Sequence, residues 1–287
     1  MIQRLVPAVL LGVAAATATA AAFDAELIGA SSAAMDNPHD LKLSPDGRHL
    51  FVSDVGNDRV LVLDPDSLEP LSAFGADHQD GTHDVDFDAD GRAYVADTHN
   101  NRVTIYEMDG TKATLSGELT QRIRGPEGVL AHPNGRIYVA GAWSGNVVAF
   151  EDGEVVAELR GLSSPHDLEL APSGDIWLAD AGNDRMLLLS PALEILRELK
   201  GPPYDFDGVR YQDVLADGTL IVADKNNHQV KVIGPDGTVV AVLGTGRAGR
   251  GPGRFRTPEG VEVEGDTLWI SDSGNDRVVK YRIRRSE

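Results

Sequence analysis

The sequence predicts an all-β chain: a six-bladed β-propeller of four-stranded antiparallel blades, with the ring closed by the N-terminal strand. Three observations predict it. One pattern recurs six times, and the residue that ends its second apolar run (Asp54, Asp97, Gly141, Asp180, Asp224, Asp272) returns every 39 to 48 residues. Such a period belongs to blades of antiparallel sheet around a channel. Within each copy, apolar and polar residues alternate with period two on both sides of turns that usually carry Asp-Gly, Ser-Gly or Asn-Gly, the pattern of half-buried strands joined by hairpins. Glycine is frequent, 31 of 287 residues, which favours turns over long helices.

The elements follow in order. Residues 1–22 read as an export signal: Met1-Ile2-Gln3-Arg4 is a positive start, Leu5 to Ala16 is apolar, and Ala18-Thr19-Ala20 and Ala20-Ala21-Ala22 are small-residue cleavage sites. The apolar part is shorter than the ~20 residues of a membrane span. The expected mature chain is thus a single domain over residues 23–287, secreted or periplasmic. Blade one runs through Pro38-His39-Asp40-Leu41, Asp46-Gly47, Val52-Ser53-Asp54 and Asn57-Asp58-Arg59-Val60, and blade six repeats it as Pro258-Glu259-Gly260-Val261, Ser271-Asp272 and Asn275-Asp276-Arg277-Val278. Blades three and five depart at Gly141-Ala142-Trp143-Ser144-Gly145-Asn146 and Lys225-Asn226-Asn227-His228-Gln229.

Five copies carry a fourth apolar run, at Pro70–Phe74, Ala113–Ile123, Val155–Leu159, Ile195–Leu199 and Val239–Leu243; the sixth stops after Arg277–Ile283. The unused strand is Ala25–Ala30. Pairing it beside Val278–Ile283 would remove two sheet edges at once.

Composition excludes several function classes. With no cysteine, a disulfide framework, thiolate nucleophile or Cys-ligated metal is impossible. Lys+Arg 26 against Asp+Glu 45 gives −19, and loss of Arg4 with the signal takes the charge to −20. That field repels nucleic acid and anionic membrane. No nucleophile elbow, phosphate-binding loop or H-E-x-x-H is present. Gly244-Thr245-Gly246-Arg247-Ala248-Gly249 matches G-x-G-x-x-G, but Gly251-Pro252-Gly253 follows where a helix would be required.

The repeat separates scaffold from site, because a feature of nearly every blade is structural. The Asp54/Arg59, Asp97/Arg102, Asp180/Arg185 and Asp272/Arg277 pairs are read as blade-to-blade hydrogen bonds and ion pairs. The position that opens each blade is different: it holds His39, His83, Glu127, His166, Asp207 and Glu259. The first strand lines the channel, so these side chains should ring one mouth. Imidazoles and carboxylates converging on one axis are ligands for a divalent cation; the other reading is a polar, water-filled channel. His39, His83 and His166 with an open position suit zinc, while more carboxylate participation by Glu127, Asp207 or Glu259 shifts the choice to calcium, manganese or iron. Blade five is irregular, and Asp207, Arg210 and Gln212 compete for its channel position. The loop Arg247, Arg250, Arg254, Arg256 gathers four guanidinium groups on an acidic chain. It reads either as a solvated loop or as a clamp for an anionic group. Trp143 is expected near the same mouth.

The repeat resembles the NHL repeat, whose six-bladed propellers show a Pro-x-Gly opening and an Asp … Asn-x-Arg-Val segment; the resemblance covers residues 25–284. The Pro-His-Asp openings are similar to those of the peptidyl-α-hydroxyglycine α-amidating lyases. That resemblance implies zinc on His39, His83 and His166, with Asp40, Asp84 or Asp167 beside a nearby calcium. Those lyases draw their histidines from alternate blades, whereas these come from blades one, two and four, and their catalytic Tyr and Arg have no counterpart here. No catalytic residue is therefore assigned. The expectation is an exported monomer with a divalent-metal site, acting as a lyase or hydrolase on a small or peptide-like substrate. Its rival is a non-catalytic scaffold whose ligand or protein partner covers the same face.

Overall fold

The computed structural model describes residues 23–285. The expected signal peptide, residues 1–22, lies outside them. The described residues form six antiparallel four-stranded sheets. Five are simple meanders, and the sixth takes its outer strand from the N-terminus, Phe23–Ala30, beside Arg277–Arg285. The register sets Ala25 opposite Ile283 and Ala30 opposite Val279, with a bulge between Leu27 and Gly29. Closure is therefore as the sequence predicts, with two more residues at the start of the strand. The outer strand of blade two is shorter than expected and ends at Leu119. Among the described residues, helix is confined to three short 3₁₀ turns, at Val55–Asn57, Ala181–Asn183 and Ser273–Asn275.

The inner strands are Pro38–Leu43, Thr82–Phe87, Pro126–Ala131, Pro165–Leu170, Val209–Val214 and Val261–Glu264. Each packs against the inner strand of the next blade, and the sixth packs against the first. The apolar core is divided accordingly into six clusters, each spanning two neighbouring blades: Phe51 and Val62 of blade one with Val85 and Tyr106 of blade two, for example, or Leu41 and Val52 with Trp269 of blade six. No blade buries its own faces alone, which is why the repeat is stable only as a ring.

The strand-ending aspartates are fully buried, and each is satisfied in the same way. Asp54 Oδ1 accepts the Asp36 N–H at 2.8 Å, while Oδ2 accepts Asn57 Nδ2 at 2.9 Å and Arg59 Nε at 2.7 Å. Asp97, Asp180 and Asp272 repeat this with Asp80, Ser163 and Arg256. The Asp/Arg pairs thus fasten the loop leading into their own blade; they do not join blades, contrary to the expectation from sequence. That task falls one residue earlier in the turn. Asp58, Asn101, Asp184 and Asp276 adopt left-handed φ of 51° to 56°. Their side-chain oxygens accept the backbone N–H of Gly81, Gly125, Gly208 and Asn37 in the next blade. In blade five the same position is His228, whose Nδ1 accepts from Thr257. Blade three lacks the strand-ending aspartate, and Ser144 Oγ takes the Arg124 N–H instead.

Candidate functional site

The loop clasps define where each blade opens. Asp36, Asp80, Arg124, Ser163 and Arg256 each lie three residues before the mouth residue, namely His39, His83, Glu127, His166 and Glu259. In blade five the residue clasped by the strand-ending Asp224 is Asp207, through its N–H at 2.8 Å. The mouth residue of that blade is therefore Arg210, and Asp207 is no channel carboxylate. Asp207 is exposed in the inter-blade loop, where its Oδ1 accepts Asn226 Nδ2. Sheet register agrees: Val209 pairs with Asp224 as Pro38 pairs with Asp54.

The other five predicted mouth residues come together, all buried. The His39 and His83 rings meet edge to face at 4.6 Å. His166 Nε2 lies 2.5 Å from Glu127 Oε2. Glu259 lies among two cations and an imidazole, with Arg210 Nε at 3.2 Å, His39 Nε2 at 3.7 Å and Lys225 Nζ in contact. These are charge contacts rather than aligned hydrogen bonds, and neither Glu259 oxygen has a hydrogen-bond partner among the described residues. Burial lowers His39 well below the ordinary imidazole pKa, with His83 and Lys225 adding to it, and burial also lowers His83. Burial would raise Glu127, but the charge and hydrogen bond of His166 outweigh it and hold the carboxyl at about 2.

Tautomers can be read from the backbone. His83 Nδ1 lies 2.8 Å from Gly81 O, and His166 Nδ1 lies 2.7 Å from Ser164 O. A carbonyl only accepts, so Nδ1 carries a proton in both rings. His83 Nε2 then presents a lone pair in the neutral ring, whereas His166 Nε2, 2.5 Å from Glu127 Oε2, needs a proton or a cation between the two acceptors. For His39, Asn37 Nδ2 sits 3.0 Å from Nε2, and Nδ1 is buried without a partner. With the nearly isosteric Asn37 amide turned over, Nε2–H would face both the amide oxygen and Glu259. Nδ1 would then hold a free, buried lone pair. Among the described residues, no three His, Asp or Glu already stand in metal-ligating geometry.

One step down the channel lie Asp40, Asp84, Asp167 and, in blade five, Tyr211. Asp84 Oδ2 accepts the Val129 N–H at 2.6 Å, and Asp167 Oδ2 accepts the Gln212 N–H at 2.8 Å. These aspartates therefore bridge neighbouring inner strands. Tyr211 Oη donates to Glu127 O at 3.0 Å. In blades three and six the position is Gly128 and Gly260, where an added Cβ would fall 1.9 Å from His166 O and 2.2 Å from His39 O. The missing side chains let the histidine-bearing strands approach. Burial and mutual repulsion raise Asp40 and Asp167 well above the carboxylate range; burial raises Asp84 to about 6, against its bonds to Asp40 and the Val129 N–H.

A third tier repeats the bridging. Asp86 accepts from Ala131, Asp213 from Val263 and Glu262 from Leu43, around the single cation Lys42, whose Nζ lies 2.7 Å from Glu169 Oε2. Burial and the nearby Glu169 push Asp213 up to about 7, against the opposing pull of Lys42, and burial raises Glu262 well above its usual value. A folded-state pKa raised above the unfolded one contributes stability fully present below the ordinary carboxylate range and lost as pH rises through the raised value. Between about pH 7 and pH 8.5 free histidine, with its ordinary pKa near ~6.5, is already mostly neutral, so these carboxyls dominate. The melting temperature is expected to fall by several degrees across that window at constant salt; a flat or rising profile in calorimetry would contradict the assignment.

On the mouth face, Trp143 is half exposed and stacks on His99 at 5.8 Å, and His99 lies 6.4 Å from His83. Trp143 also lies across Gly125, two residues before Glu127. Arg247, Arg250, Arg254 and Arg256 are exposed in the connection between blades five and six, and none forms an ion pair among the described residues. Arg250 Nη1 donates to Asn275 O. Two participants were missed from sequence. Tyr211 replaces the aspartate of other blades, and Lys225 is the one charged residue among Val55, Thr98, Ala142, Ala181, Lys225 and Ser273, which follow the second strands. Comparison of that slot would have found the lysine.

Residues 14–135 match the family described as Lactonase, 7-bladed beta-propeller, whereas six blades make up the described residues. An uncharacterized protein of Staphylococcus epidermidis is 25% identical over 152 residues, which covers 50% of this chain and 43% of that protein. The chain thus spans less than half the length of the curated relatives it matches. Among solved structures, a catalytically inactive variant of virginiamycin B lyase from Staphylococcus aureus, with quinupristin, aligns with a TM-score of 0.65 at 14% identity, covering 91% of this chain and 99% of that one. An auxiliary nutrient binding protein of Bacteroides thetaiotaomicron aligns with a TM-score of 0.71 at 17% identity, covering 88% and 70%. The fold is a β-propeller similar to that of enzymes and of binding proteins alike.

Proposed function

We propose that the channel mouth holds a divalent cation, zinc, on His39, His83 and His166, and that the protein is a metal-assisted lyase or hydrolase of small anionic substrates. One observation carries the reading. Two of the three histidines give Nδ1–H to a backbone carbonyl, the arrangement by which metal-ligating imidazoles are oriented; His83 Nε2 is thereby left free, and His166 Nε2 faces the Glu127 carboxylate, a pair that a cation would bridge. The third has a buried ring nitrogen without a partner. The Pro-His-Asp openings, similar to those of the amidating lyases, occupy the same slots. Bound there, the cation would polarise a carbonyl or lower the pKa of water.

The rest falls to the protein. Burial keeps His39 and His83 neutral at physiological pH. Glu127 stays ionised and fixes His166. Arg210 and Lys225 bring positive charge to the rim of an acidic molecule, and Glu259 holds them in place. Trp143 on His99 offers a flat apolar wall at the side of blade three. The arginine loop supplies unpaired guanidinium groups from the side of blade six, suited to a substrate carboxylate or phosphate. The likeness to the lactonase family model makes lactones that carry an anionic group the first substrates to try.

Substituting Arg250→Ala and Arg254→Ala is expected to raise KM about tenfold for each lost charged contact, with kcat and melting temperature little changed. Unchanged KM would make the segment a solvated loop. The exposed Trp143 favours the scaffold reading as second choice. There the same variants would weaken partner binding in a salt-dependent way, and turnover would be absent.

A further inference from the structure

A sizeable cavity lies at the opposite end of the channel from the histidines, and nothing above uses it. It opens where the inner strands of blades one to four end, three residues or about 10 Å beyond the mouth positions. Its volume is about 480 Å³, within the size range of small-molecule sites. Between the two ends, the tier of Asp40, Asp84 and Asp167 leaves a void of only about 10 Å³, space for about one water. A ligand at one end cannot reach the other.

The cavity joins apolar walls to a charged floor. Phe87, Leu130, Ile137 and Leu170 line the sides, and Lys42, Asp86 and Glu169 form the bottom. Around the opening, Arg92 is already bound to Asp88 at 2.8 Å, and Asp90 adds another carboxylate. Four carboxylates thus face two cations. Lys42 Nζ, the only cation of the floor, is spent on Glu169 and stands 3.7 Å from Asp86 Oδ1, beyond hydrogen-bond reach. Asp86 is 6% exposed, and its other oxygen accepts the Ala131 N–H. Asp86 therefore faces a cavity of negative balance with only backbone N–H groups and the long Lys42 contact as its partners. A carboxylate or phosphate would meet repulsion there, and a neutral alcohol would leave the charge uncompensated. An ammonium group supplies both charge and donors, and its hydrocarbon body matches the walls.

We propose that this far-end cavity is a second ligand site that takes a small amphipathic amine, its ammonium on Asp86 and Glu169 and its apolar body against Phe87, Leu130 and Ile137. Titration calorimetry of the full chain with three probes of matched size tests it: phenethylamine, phenethyl alcohol and hydrocinnamate. The amine should bind at least ten times more tightly than the alcohol, and the carboxylate should not bind detectably. Glu169→Gln should weaken the amine at least tenfold. Because that variant disturbs the Lys42 pair and risks the fold, Ala89→Trp provides a second arm. Ala89 is an exposed turn residue on the cavity wall, so the indole should block binding without touching the core. His166→Ala, at the other mouth, should leave the affinity unchanged, which separates this site from the proposed metal site. Equal affinity for amine and alcohol, no binding of the amine, or indifference to Ala89→Trp would each overturn the proposal. Loss of binding in His166→Ala would place the amine at the mouth and overturn it equally.

Discussion

Removing residues 23–30 is expected to destabilise the propeller by on the order of 5 kcal/mol relative to the chain beginning at residue 23. Seven residue pairs join Phe23–Ala30 to the last strand, and Phe23 and Ala25 pack on the cluster holding Phe255, Tyr281 and Ile283. Without them the strand Arg277–Arg285 becomes an open edge, and that cluster loses its outer cover. The effect should exceed that of an outer-strand truncation elsewhere, because this strand also fastens the two chain ends together. Ser31 sits between blades six and one: its N–H donates to Val278 O, and its Oγ accepts the Val278 N–H. The truncated chain should melt far below the full one and associate through the exposed edge. An unchanged melting temperature, or an unchanged sedimentation coefficient, would show that closure does not depend on this strand.

Replacing His39, His83 and His166 together by alanine is expected to reduce bound zinc to background and turnover with it, while the β-sheet circular dichroism stays that of the parent. The strands are held by the Asp54-type clasps and by the carboxylate bridges below, so removing three imidazoles leaves the backbone fastened. The surviving Glu127, Glu259, Arg210 and Lys225 can pair among themselves. Metal content equal to the parent's would move the ion to the carboxylates of the channel. A collapsed spectrum would mean that the imidazoles are chiefly packing groups.

Much of this architecture was legible because the chain compares itself with itself. Six copies exposed the strand order, and the missing fourth run of the last copy pointed to Ala25–Ala30. The same comparison isolated His39, His83, Glu127, His166 and Glu259 from the scaffold. At blade five it left Asp207, Arg210 and Gln212 open for a definable reason: Asp207-Gly208-Val209 looks like Glu259-Gly260-Val261, but the true opening lies three residues on, at Arg210. Only the clasp from Asp224 to the Asp207 N–H reveals the register, and a hydrogen bond between distant residues leaves no local signature. The double duty of Asp84, Asp86, Asp167, Asp213 and Glu262 was also hidden. Each accepts an N–H from a neighbouring inner strand or blade, a need created by the splay of strands around the axis. In sequence they are simply acidic residues on an acidic chain. The far-end cavity is built from strand ends and turns that the repeat marks as ordinary scaffold.

Elemental analysis of the purified protein, after dialysis against metal-free buffer, tests most directly whether the histidine mouth is a metal site. About one equivalent of zinc per chain, lost in the triple histidine variant, is the expected result. A parent protein that retains no divalent metal and gains none on reconstitution would contradict it.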